Sequence, residues 1–184
     1  MRRETIALLG HRQARNLPRY PVQSPSEESK RLGIAERNRG WLAGRGVLAL
    51  NIVSSPGAGK TTLLERTIHV LEPEPHSVLM IENVGNLVCP ALFDQAKVVL
   101  FSVTEGEDKP VKYPHIFSAA SVILLSKIDL LPHLRFDVDK ACANALSINP
   151  RLSVFQLPAQ SGAGLEDWYG WIKARASAAG RKAT

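Results

Sequence analysis

The fold is decided by residues 47–61, which read VLALNIVSSPGAGKT. An apolar run, a turn with two glycines, a lysine and a hydroxyl residue follow one another, and a helical pattern continues from Thr62 to Ile68. This order of strand, glycine-rich turn and helix is typical of a phosphate-binding P-loop. Backbone N–H groups of such a turn converge on phosphate oxygens, and the helix adds the positive end of its dipole. Ser54 replaces the first glycine of the usual pattern, but the context predicts a site for nucleotide phosphates.

The residues of this loop have distinct expected roles. Lys60 is expected to reach the β- and γ-phosphates, and the Thr61 hydroxyl to bind Mg²⁺, which makes both catalytic candidates. The alternative is an ordinary strand-to-helix turn that contains Gly-Lys-Thr by chance, which the flanking patterns disfavour. The predicted nucleotide-binding residues of the loop are Ser55, Pro56, Gly57, Ala58, Gly59, Lys60, Thr61 and Thr62.

Length and cysteine usage limit the class of protein. A chain of 184 residues fits one domain with a sizeable core. Cys89 and Cys142 are far apart without Cys-x-x-Cys spacing, which disfavours a disulfide scaffold and favours a reducing compartment. The apolar stretch at residues 6–9 is too short for the core of a signal peptide, and nothing approaches a membrane span. We therefore expect a soluble, cytoplasmic protein without a membrane partner.

The net charge of +6 is concentrated near the N-terminus, since residues 1–45 hold ten basic and four acidic side chains and the remainder is neutral. A basic arm can bind nucleic acid or another acidic partner. The proline-, serine- and glutamate-rich composition of residues 16–29 instead indicates a solvated, disordered leader, so we do not expect a nucleic-acid partner. The predicted organisation is a basic leader (1–30), one P-loop domain (31–178) and a tail (179–184).

Apolar runs and turn signals alternate along the chain. Predicted strands cover 47–53, 77–83, 97–104, 121–127 and 153–157, and predicted helices cover 29–45, 61–72, 137–148 and 165–176. The later strands are rich in Val, Ile, Leu or Phe without strict alternation, as expected when both faces of a sheet are buried. Strands that alternate with helices predict an α/β fold, here a three-layer P-loop NTPase domain with a mostly parallel sheet.

A second chemical element is Glu82, at the carboxyl end of the predicted strand 77–83 and three residues before Gly85. In P-loop NTPases a carboxylate at this place acts on Mg²⁺ or its waters, and a backbone N–H that follows senses the γ-phosphate. Glu82 is therefore the third catalytic candidate. The alternative is a solvated glutamate at a strand end.

A third element, Lys127-Ile128-Asp129, resembles the guanine signature of GTPases. There the Asp carboxylate accepts hydrogen bonds from the ring N–H and the exocyclic amine of guanine, and the Lys stem covers the purine. Adenine offers the reverse donor pattern and would leave a buried Asp129 unpaired, so guanine is favoured. Ser126 stands where Asn is usual, and we expect its shorter side chain to lose a contact to the P-loop. The stretch from Gln160 to Leu165 fits the loop-to-helix segment whose backbone supports the base, and Ala159 directly before it is a further nucleotide-binding candidate.

Several longer strings resemble the hydrogenase nickel-incorporation GTPases, the HypB family. IENVGNLVCP at 81–90 and SVTEGEDKP at 102–110 are the most specific, and KYPH at 112–115 and the lead-in NRGWL at 38–42 are also similar. The resemblance covers most of residues 35–175. It implies a dimerising, slow metallo-GTPase that uses GTP or GDP with Mg²⁺ and works with a second metallochaperone to deliver nickel to the hydrogenase large subunit.

The interval from Thr61 to Glu82 is shorter than this family's pattern. It is long enough for one helix and one returning strand, with Pro73 and Pro75 between them. Relatives carry a further strand–helix block here, with acidic residues of the magnesium and switch region and a Cys-His pair of a metal site. We therefore expect a sheet reduced by about one strand–helix unit and GTP hydrolysis that is slow or absent.

The predicted metal ligand is Cys89, which by the resemblance would bind nickel or zinc. One thiolate is not a site, so metal binding by one monomer should be weak, and two Cys89 side chains of a homodimer could share an ion. The alternative role of Cys89 is a small buried hydrophobe. For the whole chain, the rival hypotheses to a GTPase are a non-hydrolysing nucleotide-binding or dimerisation module that regulates an intact homologue, and a decayed reading frame.

Overall fold

The computed structural model describes residues 5–9, 28–73, 75, 77–82, 96–158 and 164–182. The strands are β1 (Thr5–Leu9), β2 (Leu48–Ser54), β3 (Val78–Glu82), β4 (Ala96–Ser102), β5 (Val122–Ser126) and β6 (Ser153–Leu157). The helices are α1 (Glu28–Ala43), α2 (Lys60–Leu71), α3 (Lys109–Lys112), α4 (Pro114–Ser118), α5 (Val138–Ile148) and α6 (Leu165–Lys182). Within the described ranges, 3₁₀ turns cover Val103–Glu105 and Ile128–His133.

The strands form one sheet in the order β1-β3-β2-β4-β5-β6. β2 to β6 are parallel to their neighbours, and β1 is antiparallel to β3. This arrangement confirms the predicted α/β fold with a mostly parallel sheet. The carboxyl ends of the parallel strands share one edge, which is where ligands bind in open α/β sheets.

Helices cover both faces of the sheet, so the fold has three layers, with the sheet in the middle. On one face Leu50 and Leu100 belong to a core cluster with Leu63 of α2 and Trp168 of α6. On the other face the alternate strand positions belong to a second cluster with α4 and α5, and its members include Val53, Val99, Phe101, Phe117 and Ala141. Strands covered on both sides have no solvent-facing polar face, which explains why their sequences are mostly apolar and lack a strict alternation of polar and apolar residues.

Helix α2 is fixed to helix α6 by a buried hydrogen-bonded pair. The indole N–H of Trp168 donates to the hydroxyl of Thr67 at 3.1 Å, and that hydroxyl donates to the carbonyl of Leu63 at 2.7 Å. Thr67 and Trp168 are both completely buried. Because α2 starts at Lys60, this pair sets the position of the helix that follows the P-loop.

The ends of the chain differ from their predictions. β1 lies inside residues 1–30, where the sequence indicates a disordered leader, and its apolar run pairs with β3, about seventy residues later in the sequence. Helix α1 begins at Glu28, and α6 continues to Lys182, inside the predicted tail. The division of the chain into leader, domain and tail otherwise stays a prediction. In the part of the chain that the structure describes, no helix is long and apolar enough to cross a membrane.

The short interval between the P-loop and Glu82 contains a single crossover. β2 and β3 are parallel neighbours, and α2 is the helix that connects them. The expected β-α-β crossover is therefore confirmed, and the sheet continues to β1 on the far side of β3.

Candidate functional site

The predicted phosphate-binding loop connects β2 to α2 at the carboxyl edge of the sheet. Gly57 and Gly59 have φ angles of 76° and 93°, a region that favours glycine. A Cβ atom built at either glycine would meet nothing within 4 Å, so the space above the loop is open. Gly59 precedes the first residue of α2, and the helix N-terminus therefore opens onto that space. This geometry suits phosphate oxygens.

The three catalytic candidates lie together at this loop. The Lys60 ammonium group is 3.7 Å from Oε1 of Glu82, and the Thr61 hydroxyl is 3.5 Å from the same oxygen. Lys60 is buried, whereas Thr61 is exposed. A hydroxyl and a carboxylate side by side are oxygen ligands of the kind that Mg²⁺ prefers, so these residues fit that ion. Glu82 lies beside the loop because β2 and β3 are parallel neighbours, so their carboxyl ends meet at one edge of the sheet.

Ser126 contacts the phosphate-binding loop, contrary to expectation. Its hydroxyl donates to the carbonyl of Ala58 at 2.9 Å, and both residues are buried. The lost contact was expected because a serine side chain is shorter than the asparagine that is usual at this position. The expectation was wrong because β5 ends close enough to the loop for a serine to reach it.

The base-recognition candidates follow directly after Ser126. Lys127 has a φ of 62°, the left-handed conformation, and the 3₁₀ turn that starts at Ile128 presents Asp129 on the surface. The sequence-based preference for guanine assumed that Asp129 is buried. The assumption is wrong, because Asp129 is exposed. An exposed carboxylate remains accessible to a base. The selectivity for guanine therefore depends on how much water the bound base displaces.

A cavity of about 190 Å³ lies between the loop, α2, α6 and the ends of β5 and β6. It brings Gly59 and Thr62 of the predicted phosphate site to the same space as Lys127. The other lining residues are Ala58, Leu63, Arg66, Leu100, Ser126, Leu157, Pro158 and Leu165. The phosphate-binding and base-binding candidates therefore share one continuous space, as a nucleotide requires.

Lys109 is a residue of this region that the sequence analysis missed. It is 5% exposed, and its ammonium group contacts the Ser55 hydroxyl and the Glu105 carboxylate. Burial lowers the pKa of Lys109 to about 8. The EGEDKP string, in which it lies, contains three acids and one lysine, so its composition gives no sign of a buried cation. Each of those acids is paired, Glu105 with Lys109, Asp108 with Lys112 and Glu107 with Lys140.

Two of the predicted site residues, Cys89 and Ala159, lie outside the described residues. Among the described ones there is no group of three or more His, Cys, Asp or Glu side chains that could hold a metal ion. Cys142 is half-buried in α5 and lines a small apolar space with Phe101 and Leu125. Burial raises the pKa of the Cys142 thiol, which makes it a poor thiolate ligand.

Comparisons with known proteins find hydrogenase maturation factors HypB both among curated proteins and among solved structures. The hydrogenase maturation factor HypB of Rhizobium leguminosarum bv. viciae is 42% identical over 204 positions, which cover 81% of this chain and 68% of that protein. The crystal structure of HypB from Archaeoglobus fulgidus superimposes with a TM-score of 0.74 at 32% identity, and covers 79% of this chain and 98% of that one. The structure of HypB from Helicobacter pylori in complex with nickel gives 0.72 at 25% identity, with 81% and 96% covered. No family model matches the chain.

Proposed function

The chain belongs to the HypB family of hydrogenase maturation factors, and from this premise we propose that it binds GTP or GDP with Mg²⁺ and assists nickel insertion into nickel–iron hydrogenase. The family relationship supports the biological role. The site supports nucleotide binding, because the phosphate-binding candidates Gly59 and Thr62 and the base-binding candidate Lys127 line one cavity. We place this activity in the cytoplasm, where thiols stay reduced.

The observation that carries the proposal is the convergence of Lys60 and Thr61 on Glu82 below an open glycine loop. The backbone N–H groups of the loop and the Lys60 ammonium would hold phosphate oxygens. The Thr61 hydroxyl would bind Mg²⁺ directly, with Glu82 orienting its waters. When bound, Mg²⁺ supplies charge neutralisation between the phosphates. Lys127 and Asp129 would cover and select the guanine base.

Hydrolysis is a separate question, and we propose that it is slow or absent. The match to the Rhizobium leguminosarum protein extends over 204 positions, more than the 184 residues of this chain, so that relative has residues without a counterpart here. The single crossover between the P-loop and Glu82 supports a missing strand–helix block in this interval. Loss of one preorganised group that handles developing charge costs about 10²–10³ in rate.

The first test is a calorimetric titration of the chain with GTP, GDP and ATP in the presence of Mg²⁺, with Lys60→Ala as the variant that removes the phosphate contact. We expect guanine nucleotides to bind in preference to ATP and the variant to lose this binding. A folded protein that binds no nucleotide would contradict the proposal and would favour a dimerisation module. Phosphate release by the same samples then measures turnover, and a rate equal to that of a full-length relative would contradict slow hydrolysis.

We propose nickel as the metal cargo, with zinc as a second candidate, since the Helicobacter pylori relative is described in complex with nickel. Cys89 would be the ligand, and the chain offers Cys142 as a matched control because its thiol is half-buried. Equilibrium dialysis with Ni²⁺ or Zn²⁺ should show weak binding that Cys89→Ser abolishes and Cys142→Ser preserves. Equal loss in both variants, or no loss in either, would contradict a role for Cys89.

We further propose that the chain forms a homodimer and acts with a hydrogenase maturation metallochaperone and the hydrogenase large subunit. Large apolar side chains on the surface, Val111 at 58% exposure and Tyr113 at 40%, support a protein-binding face beside α3. Sedimentation with and without GDP and Mg²⁺ tests the homodimer. A monomer under all conditions would contradict it.

A further inference from the structure

Lys109 is buried, although lysine side chains are almost always exposed to solvent unless they are paired. It is 5% exposed, whereas Lys112, three residues later in the same short helix, has a side chain that is 64% exposed. Removing an ammonium group from water is costly unless partners replace the water. The position of Lys109 must therefore be maintained by specific contacts.

Those contacts join two segments that are distant in the sequence. The ammonium group of Lys109 contacts Glu105 on one side and the hydroxyl of Ser55, 54 residues earlier, on the other. Its ammonium also lies 5.7 Å from the centre of the Phe101 ring. The loop after β4 and the phosphate-binding loop are thus connected through one cation.

The Glu105 side of this connection is itself fixed. The Glu105 carboxylate accepts from the backbone N–H of Ser102 at 3.1 Å, and the Ser102 hydroxyl accepts from the N–H of Thr104 at 3.3 Å. These two bonds form a capping box over the 3₁₀ turn at the end of β4. Since β4 pairs with β2 in the sheet, Glu105 holds Lys109 against a rigid element.

The Ser55 side is the start of the phosphate-binding loop. Ser55 follows β2, and its carbonyl accepts from the N–H of Ala58 at 3.4 Å. Two residues of this loop, Gly57 and Gly59, have positive φ angles and the large conformational freedom of glycine. A loop of this kind binds phosphate well only to the extent that it already adopts the binding conformation.

We propose that Lys109 is a positioning residue, which holds the phosphate-binding loop in its nucleotide-binding conformation through Ser55. The inference rests on the proposed nucleotide binding and adds a residue to it. Lys109 supports the loop from the β4 side, and the Ser126 hydroxyl supports it from the β5 side. Because this support precedes any contact with the base or the γ-phosphate, it affects GDP and GTP by the same factor.

The test measures GDP and GTP dissociation constants for Lys109→Met, which keeps the length of the side chain but removes the charge. We expect both constants to rise about tenfold, the cost of one hydrogen bond from a charged group. Lys112→Met is the matched control, since it removes an exposed lysine of the same helix, and its constants should stay within twofold of the parent. Parent-like constants for Lys109→Met would overturn the inference and leave nucleotide binding itself intact. Absence of binding by the parent chain would instead overturn the proposed function.

A double-mutant cycle identifies the route. If Lys109 acts through Ser55, Ser55→Ala weakens GDP binding several-fold, and adding Lys109→Met to it causes little further loss. Fully additive losses would overturn the route through Ser55. Thermal unfolding without nucleotide is measured on every variant. Should Lys109→Met not fold, Ser55→Ala alone decides, and unchanged GDP binding in that variant overturns the inference.

Discussion

The hydroxyl of Ser126 donates a hydrogen bond to the carbonyl of Ala58 at 2.9 Å, and so connects the end of β5 to the phosphate-binding loop 68 residues earlier. Both residues are buried. A short side chain can make this contact because β5 and the loop meet at the same edge of the sheet. The contact places the base-recognition segment, which begins at Lys127, in fixed register with the phosphate site.

Ser126→Ala should lower both stability and affinity. A buried carbonyl that loses its donor costs about 1 kcal/mol in the free energy of unfolding, which corresponds to about fivefold in an equilibrium constant. Urea unfolding and GDP titration measure the two effects. Ser147→Ala serves as the control, because it removes an exposed serine hydroxyl that donates to Asn144 within α5. Equal behaviour of the two variants would show that the Ser126 contact contributes nothing.

Sequence patterns were sufficient for most of the architecture. The five parallel strands and the long helices lie within two residues of their predicted bounds, except at the end of α6, because each has a mostly apolar run or a helical period between turn signals. β1 was missed because only its pairing with the distant strand β3 identifies it, and a run of four apolar residues does not by itself predict a strand. The short helices α3 and α4 were missed because each has only about one helical turn, which is too short for an apolar pattern to repeat.

The site was predictable wherever chemistry is encoded in neighbouring residues, and not where it depends on distance in space. The loop from Ser55 to Thr61 is a local pattern, and Glu82 follows from the parallel sheet. The contact of Lys109 with Ser55 joins residues 54 positions apart, and burial of a lysine contradicts its ordinary preference for the surface. The Ser126 contact depends on the distance between the end of β5 and the phosphate-binding loop, which the length of a serine side chain does not reveal.

Thr67→Val should destabilise the fold. The substitution keeps the shape of the side chain but leaves the buried indole N–H of Trp168 without its acceptor, at a cost of about 1–3 kcal/mol. Trp168→Phe removes the donor instead, and the Thr67 hydroxyl keeps its bond to the Leu63 carbonyl. Urea denaturation of the two variants, with Thr62→Val as a control at an exposed threonine of the same helix, measures the effect. A Thr67→Val protein as stable as the control would contradict this role of the α2–α6 pair.

Glu82→Gln should change the Mg²⁺ dependence of GTP binding. The substitution keeps one oxygen near Thr61 and Lys60 but removes the negative charge. We expect about tenfold more Mg²⁺ to be needed for half-maximal GTP affinity, the cost of one charge-assisted interaction. Titrations of GTP at increasing Mg²⁺ measure this, with Glu65→Gln as a control for an exposed glutamate on α2. An unchanged Mg²⁺ requirement would remove Glu82 from the magnesium site.

Asp129→Asn should change the preferred base. The Asp carboxylate can accept from the N–H and amine of guanine, whereas an Asn amide donates where guanine also donates. We expect GDP affinity to fall by about 10²-fold or more and the affinity for xanthosine diphosphate, which has a carbonyl in place of the amine, to rise. Competition titrations test this, and Asp139→Asn on α5 is the exposed control. Loss of both nucleotides in equal measure would indicate that Asp129 does not select the base.

The positioning role of Lys109 predicts a pH dependence of nucleotide affinity. Burial lowers the pKa of Lys109 to about 8, so its charge is present at pH 7 and largely lost at pH 9. Glu105 faces it from the preceding turn and favours the charged form, while the neighbouring charges of Asp108 and Glu107 are paired with Lys112 and Lys140. Support of the loop should therefore weaken as the pH rises through this range.

The measurement is the ratio of the GDP dissociation constants of Lys109→Met and the parent chain from pH 7 to pH 9. The ratio cancels the titration of guanine and of other groups, because both proteins share them. It should start near ten and fall as the pH rises but stay above one, since a neutral Lys109 amine keeps a weaker hydrogen bond to Ser55 and loses its ionic interaction with Glu105. A ratio that stays near ten over this range would mean that the hydrogen bond to Ser55 is sufficient and the charge of Lys109 contributes nothing, and a ratio near one throughout would mean that only the packing of the side chain matters.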